Sequence, residues 1–287
     1  MTALAKALRT GPYKYQRFIP PLPRRFQAYT VGTSKSGTHS LYAMVSSHYR
    51  SGHEAEYADL IHAILDLETG ARSPEDTRAW LRQRDQQMCL EMDSSALNAH
   101  VIGELAEAFP KARFILTLRD CYSWLDSVTN HIVTRPGDPV WQKLKERPKR
   151  RGTDEYTPEE AVLKEHGLST LDRALSLWAD HNATVIEKVP ADRLLVVRTE
   201  DISSSVERIA DFLGVSVASL QATRSHAFKR QTSVGLAAAI DRDFLESRVN
   251  EHCRDLMDEF FPKLKRFEDA VDVSSDSAAQ SAAEGTK

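Results

Sequence analysis

Short apolar runs and longer segments with helical spacing alternate along this chain of 287 residues. A short run between turn residues is typical of a buried strand, and apolar residues spaced three and four apart are typical of an amphipathic helix. The runs predict strands at 29–31, 88–92, 114–119 and 193–202. The helical spacing predicts two helices within 58–84 and further helices at 41–48, 97–109, 168–189, 204–213, 219–223 and 242–266.

This order of elements predicts the fold class. Strands that alternate with helices form a parallel sheet that is covered on both faces. We therefore expect an α/β fold, a mainly parallel sheet flanked by helices, in a single domain over 26–268. Ligands of such sheets bind at the carboxyl ends of the strands, so we expect the functional residues there.

Three stretches depart from the periodic pattern. Residues 1–25 are basic, and the first acidic residue of the chain is Glu54. We interpret 1–25 as a solvated arm; contact with an anionic membrane surface or a partner subunit is the alternative. The irregular stretch 134–159, with the basic run 143–151, is predicted as an insertion or lid, and the Ser/Ala-rich stretch 269–287 as a disordered tail.

Composition narrows the function classes. A net charge of −3 argues against general nucleic-acid binding. The three cysteines lie far apart without metal-ligand spacing, which favours a reducing, cytoplasmic location and no metal site. The sequence has no apolar run of about 18 residues and no signal-peptide core, so neither membrane spanning nor secretion by that route is supported.

The first predicted strand runs into a Gly-rich loop. Gly32 and Gly37 bracket four small or polar residues, and Ser36, Thr38 and Ser40 place hydroxyls where a helix begins. The unpaired N–H groups of a first helical turn bind anions. A mononucleotide loop carries Gly-Lys-Ser/Thr, but here Lys35 precedes the second glycine, which removes the magnesium position.

A second polar pair follows the predicted strand at 114–119. Arg119 stands at the strand end, and Ser127 lies eight residues later in a helical segment. An arginine fork and a hydroxyl two turns into a helix can converge on one phosphate.

Together these two stretches resemble the sulfotransferases that use 3′-phosphoadenosine 5′-phosphosulfate (PAPS). The resemblance implies a phosphate-loop nucleotide-binding fold of the sulfotransferase type. It assigns the 5′-phosphosulfate to Ser34, Lys35, Ser36, Gly37, Thr38, His39 and Ser40. It assigns the 3′-phosphate to Arg119 and Ser127. Lys229 and Arg230 match, less closely, the basic loop that covers the adenosine and the 3′-phosphate in family members.

The same resemblance names candidates for the catalytic base. In the branch with tyrosylprotein and heparan sulfotransferases, a glutamate at about this distance beyond the loop takes the acceptor proton. Glu54 matches that element best, and Glu56 fits an ungapped count. Asp93, after the strand 88–92, is the second alternate, although it can also simply cap the next helix. Lys35 is the expected catalytic cation.

The resemblance thus implies sulfuryl transfer from PAPS to a hydroxyl of a small-molecule, carbohydrate or lipid acceptor, with an amine as the alternative acceptor group, and without a metal. One alternative is a kinase-like phosphotransferase, which should need magnesium. The other is a non-catalytic nucleotide-binding relative, which should tolerate loss of Lys35 and of the glutamate.

Overall fold

A computed structural model describes residues 23–135, 137–146, 151–223 and 235–270. These residues fall into two compact units. The first comprises 23–118, 138–146 and 181–223; the second comprises 119–135, 137, 151–180 and 235–270. The expectation of a single domain over 26–268 stays a prediction.

The first unit contains a five-stranded sheet in the order β2-β3-β1-β4-β5. Every pairing between these strands is parallel, with Ala28 beside both Met92 and Arg113. The strands are β1 (Ala28–Thr30), β2 (Ser51–His53), β3 (Met92–Ser94), β4 (Arg113–Leu118) and β5 (Leu194–Arg198). The predicted α/β fold with a parallel sheet is confirmed.

Helices connect these strands and make up much of the second unit. The described α-helices are α1 (Thr38–Val45), α2 (Tyr57–Thr69), α3 (Pro74–Met88), α4 (Ile102–Ala108), α5 (Cys121–Thr134), α6 (Pro139–Lys145), α7 (Ala161–Glu165), α8 (Leu171–Lys188), α9 (Val206–Leu213), α10 (Arg242–His252) and α11 (Arg254–Phe260). In the described part of the chain, no helix is both long and apolar enough to cross a membrane.

Alternate residues of the central strands enter two separate hydrophobic clusters. Tyr29 and Phe114 pack in a cluster with residues of α2 and α4, whereas Ala28 and Ile115 pack with residues of α1 and α9. Successive strand residues point to opposite faces, so both faces of the sheet are covered by helices. Because both faces of these strands are buried, their sequences are continuous apolar runs.

Three strands differ from the sequence prediction. β5 ends at Arg198, and a 3₁₀ helix at Thr199–Asp201 replaces the rest of the strand predicted at 193–202. The edge strand β2 was not predicted, because its sequence Ser-Gly-His carries no apolar run. β3 begins at Met92 because α3 continues through Met88, and Cys89 then takes a left-handed conformation with φ of 50°. As a result, Asp93 lies within a buried strand and not after its end.

Parts of the predicted irregular and terminal stretches lie within the described residues. The stretch 134–159, which is predicted as an insertion or lid, contains α6. The predicted helix 242–266 is divided at Cys253. Arg24, predicted in the solvated arm, pairs with Asp85 at 2.7 Å. The arm upstream of residue 23 and the tail after 270 lie outside the described residues. At 269–270 the tail prediction is wrong, because Asp269 accepts backbone N–H groups and Ala270 is buried.

Candidate active site

Hydrogen bonds made by side-chain hydroxyl groups hold the loop between β1 and α1 in place. Ser36, which is fully buried, donates through Oγ to the carbonyl of Thr33 at 2.7 Å and lies 2.8 Å from Thr117 Oγ1 on β4. Thr199, directly after β5, donates to the carbonyls of Ser36 at 2.5 Å and Leu118 at 3.2 Å. The loop is therefore fixed to two strands that lie far from it in sequence.

Both loop glycines are required by this geometry. A Cβ on Gly32 would lie 2.1 Å from Thr117 Oγ1, which is inside van der Waals contact. Gly37 has a φ of 107° and precedes α1, so it adopts a conformation that side chains disfavour. The predicted tight loop thus depends on these two positions.

The hydroxyls and the lysine of the loop differ in their surroundings. Ser34 is exposed and Lys35 is half-buried with a φ of 70°, whereas both the N–H and the hydroxyl of Ser36 bond to Thr33. Ser36 therefore shapes the loop, and its direct contact with a donor stays a prediction. α1 begins at Thr38 without a capping side chain, so its first N–H groups and dipole favour an anion.

Glu54 follows β2 and turns its carboxylate towards the start of a 3₁₀ helix at Ala96–Val101. Ser95 donates its hydroxyl to Oε2, and the N–H of Ala96 donates to Oε1 at 3.1 Å. Burial raises the pKa of the Glu54 carboxyl to about 7, although these two donors and the nearby Arg84 oppose the rise. At neutral pH this group can therefore accept a proton.

The two alternate base candidates have other surroundings. Glu56 precedes α2 with a φ of 51° and lies near Arg84. Asp93 is buried, and its Oδ2 pairs with Nη1 of Arg84 at 2.6 Å. The cap alternative for Asp93 is wrong, because Ser95 caps the 3₁₀ helix by accepting the N–H of Leu97. As bases, both residues stay predictions.

Contacts connect the Glu54 segment to the first turn of α1. The ring of His53 lies 4.8 Å from that of His39, and its Nε2 is 3.5 Å from Thr38 Oγ1. The hydroxyl of Ser94 donates to the carbonyl of Thr38 at 2.8 Å, and the N–H of Glu54 donates to the carbonyl of Ser94 at 2.9 Å. The residues before and beside Glu54 therefore touch the predicted phosphate site.

Two histidines near the loop stay neutral. Burial and His39 lower the pKa of His53 to about 4, and burial with the Lys35 charge lowers the pKa of His39. Both imidazoles are thus uncharged at neutral pH, and each can donate or accept a hydrogen bond.

Arg119 precedes α5 and Ser127 lies within it, both in the second unit. Nε of Arg119 donates to Ser123 Oγ at 2.9 Å, and Asp120 caps the helix by accepting the N–H of Ser123 at 2.8 Å. Ser123 and Ser127 are one turn apart, so they share the face that the guanidinium contacts. Both Arg119 and Ser127 are half-buried.

Two further predictions concern the basic loop that would cover the nucleotide and the absence of a metal site. Lys229 and Arg230 lie outside the described residues. Among the residues with described positions, no three His, Cys, Asp or Glu side chains form a group that could hold a metal ion.

The sequence interpretation missed Arg84, Ser95 and His53. One signal for Arg84 was available. It shares the spacing of the buried positions Thr77, Leu81 and Met88 in α3, so a charge stands where the helix faces inward. For Ser95 and His53 the signal is three-dimensional, because their partners come from other strands.

The parallel sheet covered by helices defines an α/β protein in which a glycine-bounded loop joins the central strand β1 to α1. A family model described as a sulfotransferase domain matches residues 29–230, which is more than half of the chain. The chain belongs to the sulfotransferase family. No curated protein matches it significantly.

Several solved structures are similar to this chain. One is a sulfotransferase from Alicyclobacillus acidocaldarius, with 18% identity and a TM-score of 0.48 over 82% of this chain and 95% of that one. Another is the sulfotransferase STF9 from Mycobacterium avium, with 13% identity and a TM-score of 0.47 over 87% of this chain and 81% of that one. A third is the sulfotransferase domain of the Synechococcus PCC 7002 olefin synthase, with 17% identity and a TM-score of 0.37 over 79% and 85%. At these values the likenesses assign no residue and no substrate.

Proposed function

We propose that this chain transfers a sulfuryl group from PAPS to a hydroxyl of a small-molecule, carbohydrate or lipid acceptor by in-line attack. The observation that carries the proposal is the buried Glu54, whose pKa is raised to about 7 and whose neighbours contact the first turn of α1. Such a carboxylate is suited to proton abstraction at neutral pH, because a general base works best when its pKa is close to the working pH.

The loop is suited to the phosphosulfate end of the donor. Its exposed Ser34, the half-buried Lys35 and the N–H groups at the start of α1 supply donors and positive charge for an anion. In our proposal Lys35 lies over the oxygen that bridges phosphorus and sulfur. Negative charge accumulates on that oxygen as the bond to sulfur breaks, so a fixed cation lowers the barrier.

The acceptor is activated by Glu54 in this proposal. Its carboxylate takes the hydroxyl proton while the hydroxyl oxygen attacks sulfur opposite the leaving phosphate. The products are a sulfate ester and 3′,5′-diphosphoadenosine, and the proton stays on Glu54 until solvent removes it. Glu56 and Asp93 are the alternates for this role.

We further propose that Arg119 and Ser127 recognise the 3′-phosphate. The support is local: the guanidinium of Arg119 already contacts the helix face that carries Ser127. Replacing either residue with alanine should weaken binding of 3′,5′-diphosphoadenosine by about 1.5–3 kcal/mol, the value of a charge-assisted contact. Binding of 5′-AMP, measured by calorimetry on the same variants, should change little. Equal losses for both nucleotides would remove the 3′-phosphate role.

Turnover of PAPS tests the reaction class. The protein is incubated with PAPS and a panel of sugars, sterols, phenols and aliphatic alcohols in the presence of EDTA, and sulfated products are sought by mass spectrometry. We expect a product that gains one SO₃ group, together with release of 3′,5′-diphosphoadenosine. Phosphoryl transfer from ATP that requires magnesium would favour the kinase-like alternative. Binding of 3′,5′-diphosphoadenosine without turnover of any acceptor would favour the non-catalytic relative.

A further inference from the structure

Arg84 is a charged residue at an inward-facing position of α3. Its side chain is 4% exposed, and burying a guanidinium is costly unless charges and acceptors surround it. Two groups do so. Nη1 lies 2.6 Å from Oδ2 of Asp93 on β3, and Nη2 donates to the carbonyl of Ala55 at 2.6 Å.

Ala55 lies in the middle of an unusual turn. The residues on either side, Glu54 and Glu56, have φ values of 50° and 51°. This left-handed conformation is uncommon for residues with side chains, so it persists only where the surroundings enforce it. On one side the N–H of Glu54 donates to the carbonyl of Ser94. On the other side Nη2 of Arg84 donates to the carbonyl of Ala55, and the carbonyl of Glu56 accepts the N–H of Leu60.

We propose that Arg84 is a positioning residue for Glu54: it holds the turn 54–56 through the carbonyl of Ala55 and pairs with Asp93, so that Glu54 is left as the proton acceptor. The catalytic part of this inference rests on the proposed function, whereas the structural and electrostatic part does not. Arginine suits the role because its planar fork can serve two acceptors at once, which lysine cannot do with fixed geometry.

Four groups act on the Glu54 carboxyl. The hydroxyl of Ser95 and the N–H of Ala96 donate to it, the Asp93 carboxylate raises its pKa, and the Arg84 guanidinium lowers its pKa. Loss of Arg84 removes the positive charge that lowers the pKa of Glu54, whereas the Asp93 carboxylate that raises it stays in place. The pKa of Glu54 should therefore rise. Loss of the Asp93 charge alone lowers it.

A carbon-13 NMR titration of protein labelled at glutamate carboxyls measures these shifts without donor or acceptor. The Glu54 signal is identified by its disappearance in Glu54→Gln. We expect its titration midpoint to move up in pH in Arg84→Gln, to move down in Asp93→Asn, and to return towards the wild-type value in the double variant. The double variant leaves no unpaired buried charge. Its Glu54 midpoint, compared with that of Asp93→Asn, therefore measures the effect of Arg84 on Glu54 even when Arg84→Gln alone does not fold. Midpoints that stay at the wild-type value in the folded variants would overturn the electrostatic part.

Arg84→Lys tests positioning separately from charge. It keeps a cation beside Asp93, so the Glu54 midpoint should stay close to wild type. The bond to Ala55 is lost, and displacement of the base should lower kcat by about 10- to 100-fold. Wild-type kcat in folded Arg84→Lys would overturn the positioning role. Absence of PAPS turnover in the wild type would instead contradict the proposed function, and the titration would still decide the coupling of Arg84 to Glu54.

Discussion

The glycine-bounded loop between β1 and α1 and the turn 54–56 both contain charged residues in left-handed conformations, but they are held in different ways. Lys35 has a φ of 70° and Glu54 a φ of 50°. The loop is fixed by neutral hydroxyls, those of Ser36, Thr117 and Thr199. The turn is fixed through the charged Arg84, which also pairs with Asp93.

This difference predicts different responses to pH and to substitution. Hydroxyl bonds do not titrate in the ordinary pH range, so the loop should keep its form from acid to mildly alkaline solution. The Glu54 carboxyl ionises near neutrality in a buried place, so both its charge and its effect on stability change there. The loop is therefore suited to binding and the turn to proton transfer.

Removing the carboxylate of Glu54 should give the largest effect. In Glu54→Gln we expect kcat to fall by about 10²- to 10⁴-fold, the usual range for a general base, with PAPS affinity nearly unchanged. Glu56→Gln is the matched control and should keep most of its turnover. If Glu54→Gln stays active while folded Glu56→Gln or Asp93→Asn is inactive, the base is that other residue.

Removing the cation of the loop should come next. Lys35→Ala should lower kcat at saturating PAPS by about 10²-fold, because the lysine acts on charge that develops in the transition state. Lys188→Ala, which removes an exposed lysine at the end of α8, is the control. A Lys35→Ala variant that only binds PAPS more weakly, with unchanged kcat, would assign the lysine to binding alone.

The raised pKa of Glu54 should also appear in stability. Below pH 4.5 the carboxyl is protonated in both folded and unfolded chains, and as pH rises towards 7 only the unfolded chain ionises freely. Wild type therefore loses stability over this window, by on the order of 3 kcal/mol for this one group. The Glu54→Gln variant has no carboxyl at this position, so it does not lose this stability as the pH rises. Its free energy of unfolding should therefore exceed that of wild type at pH 8 and not at pH 4. Urea unfolding at the two pH values measures this, and a parallel pH dependence for both proteins would mean that Glu54 ionises normally.

A smaller and pH-independent effect is expected in the loop. Thr199→Val removes the donor to the carbonyls of Ser36 and Leu118, which should cost about 1 kcal/mol of unfolding free energy. Thr199→Ser keeps the hydroxyl and should recover most of it. The loss should be the same at pH 5 and pH 8, and a loss confined to one of them would show that the loop is also linked to a titrating group.

The sequence predicted the features that depend on residues close together in the chain. Gly32 and Gly37 mark a tight loop, and doubly buried strands such as β4 give continuous apolar runs, so the sheet and the loop were predictable. β2 was not, because a short edge strand of Ser-Gly-His is stabilised by its partner β3 and not by its own pattern.

The surroundings of Glu54 were less predictable than its position. A spacing can point to a carboxylate, but its pKa depends on burial and on Arg84, Asp93 and Ser95, which lie 30 to 41 residues further along the chain. The same limit applies to Asp93, which its sequence position placed at a strand tip. The structure places it inside β3 with an arginine partner.

The pH dependence of PAPS turnover in the presence of EDTA tests the central claim most directly. With an aliphatic alcohol acceptor, which does not itself ionise in this range, log kcat/KM should rise with a slope of about one below pH 7 and level off above it. The pH of the bend should match the pKa of about 7 for Glu54. A rate that is constant from pH 5 to pH 8, or one that requires added magnesium, would contradict metal-independent sulfuryl transfer with Glu54 as the base.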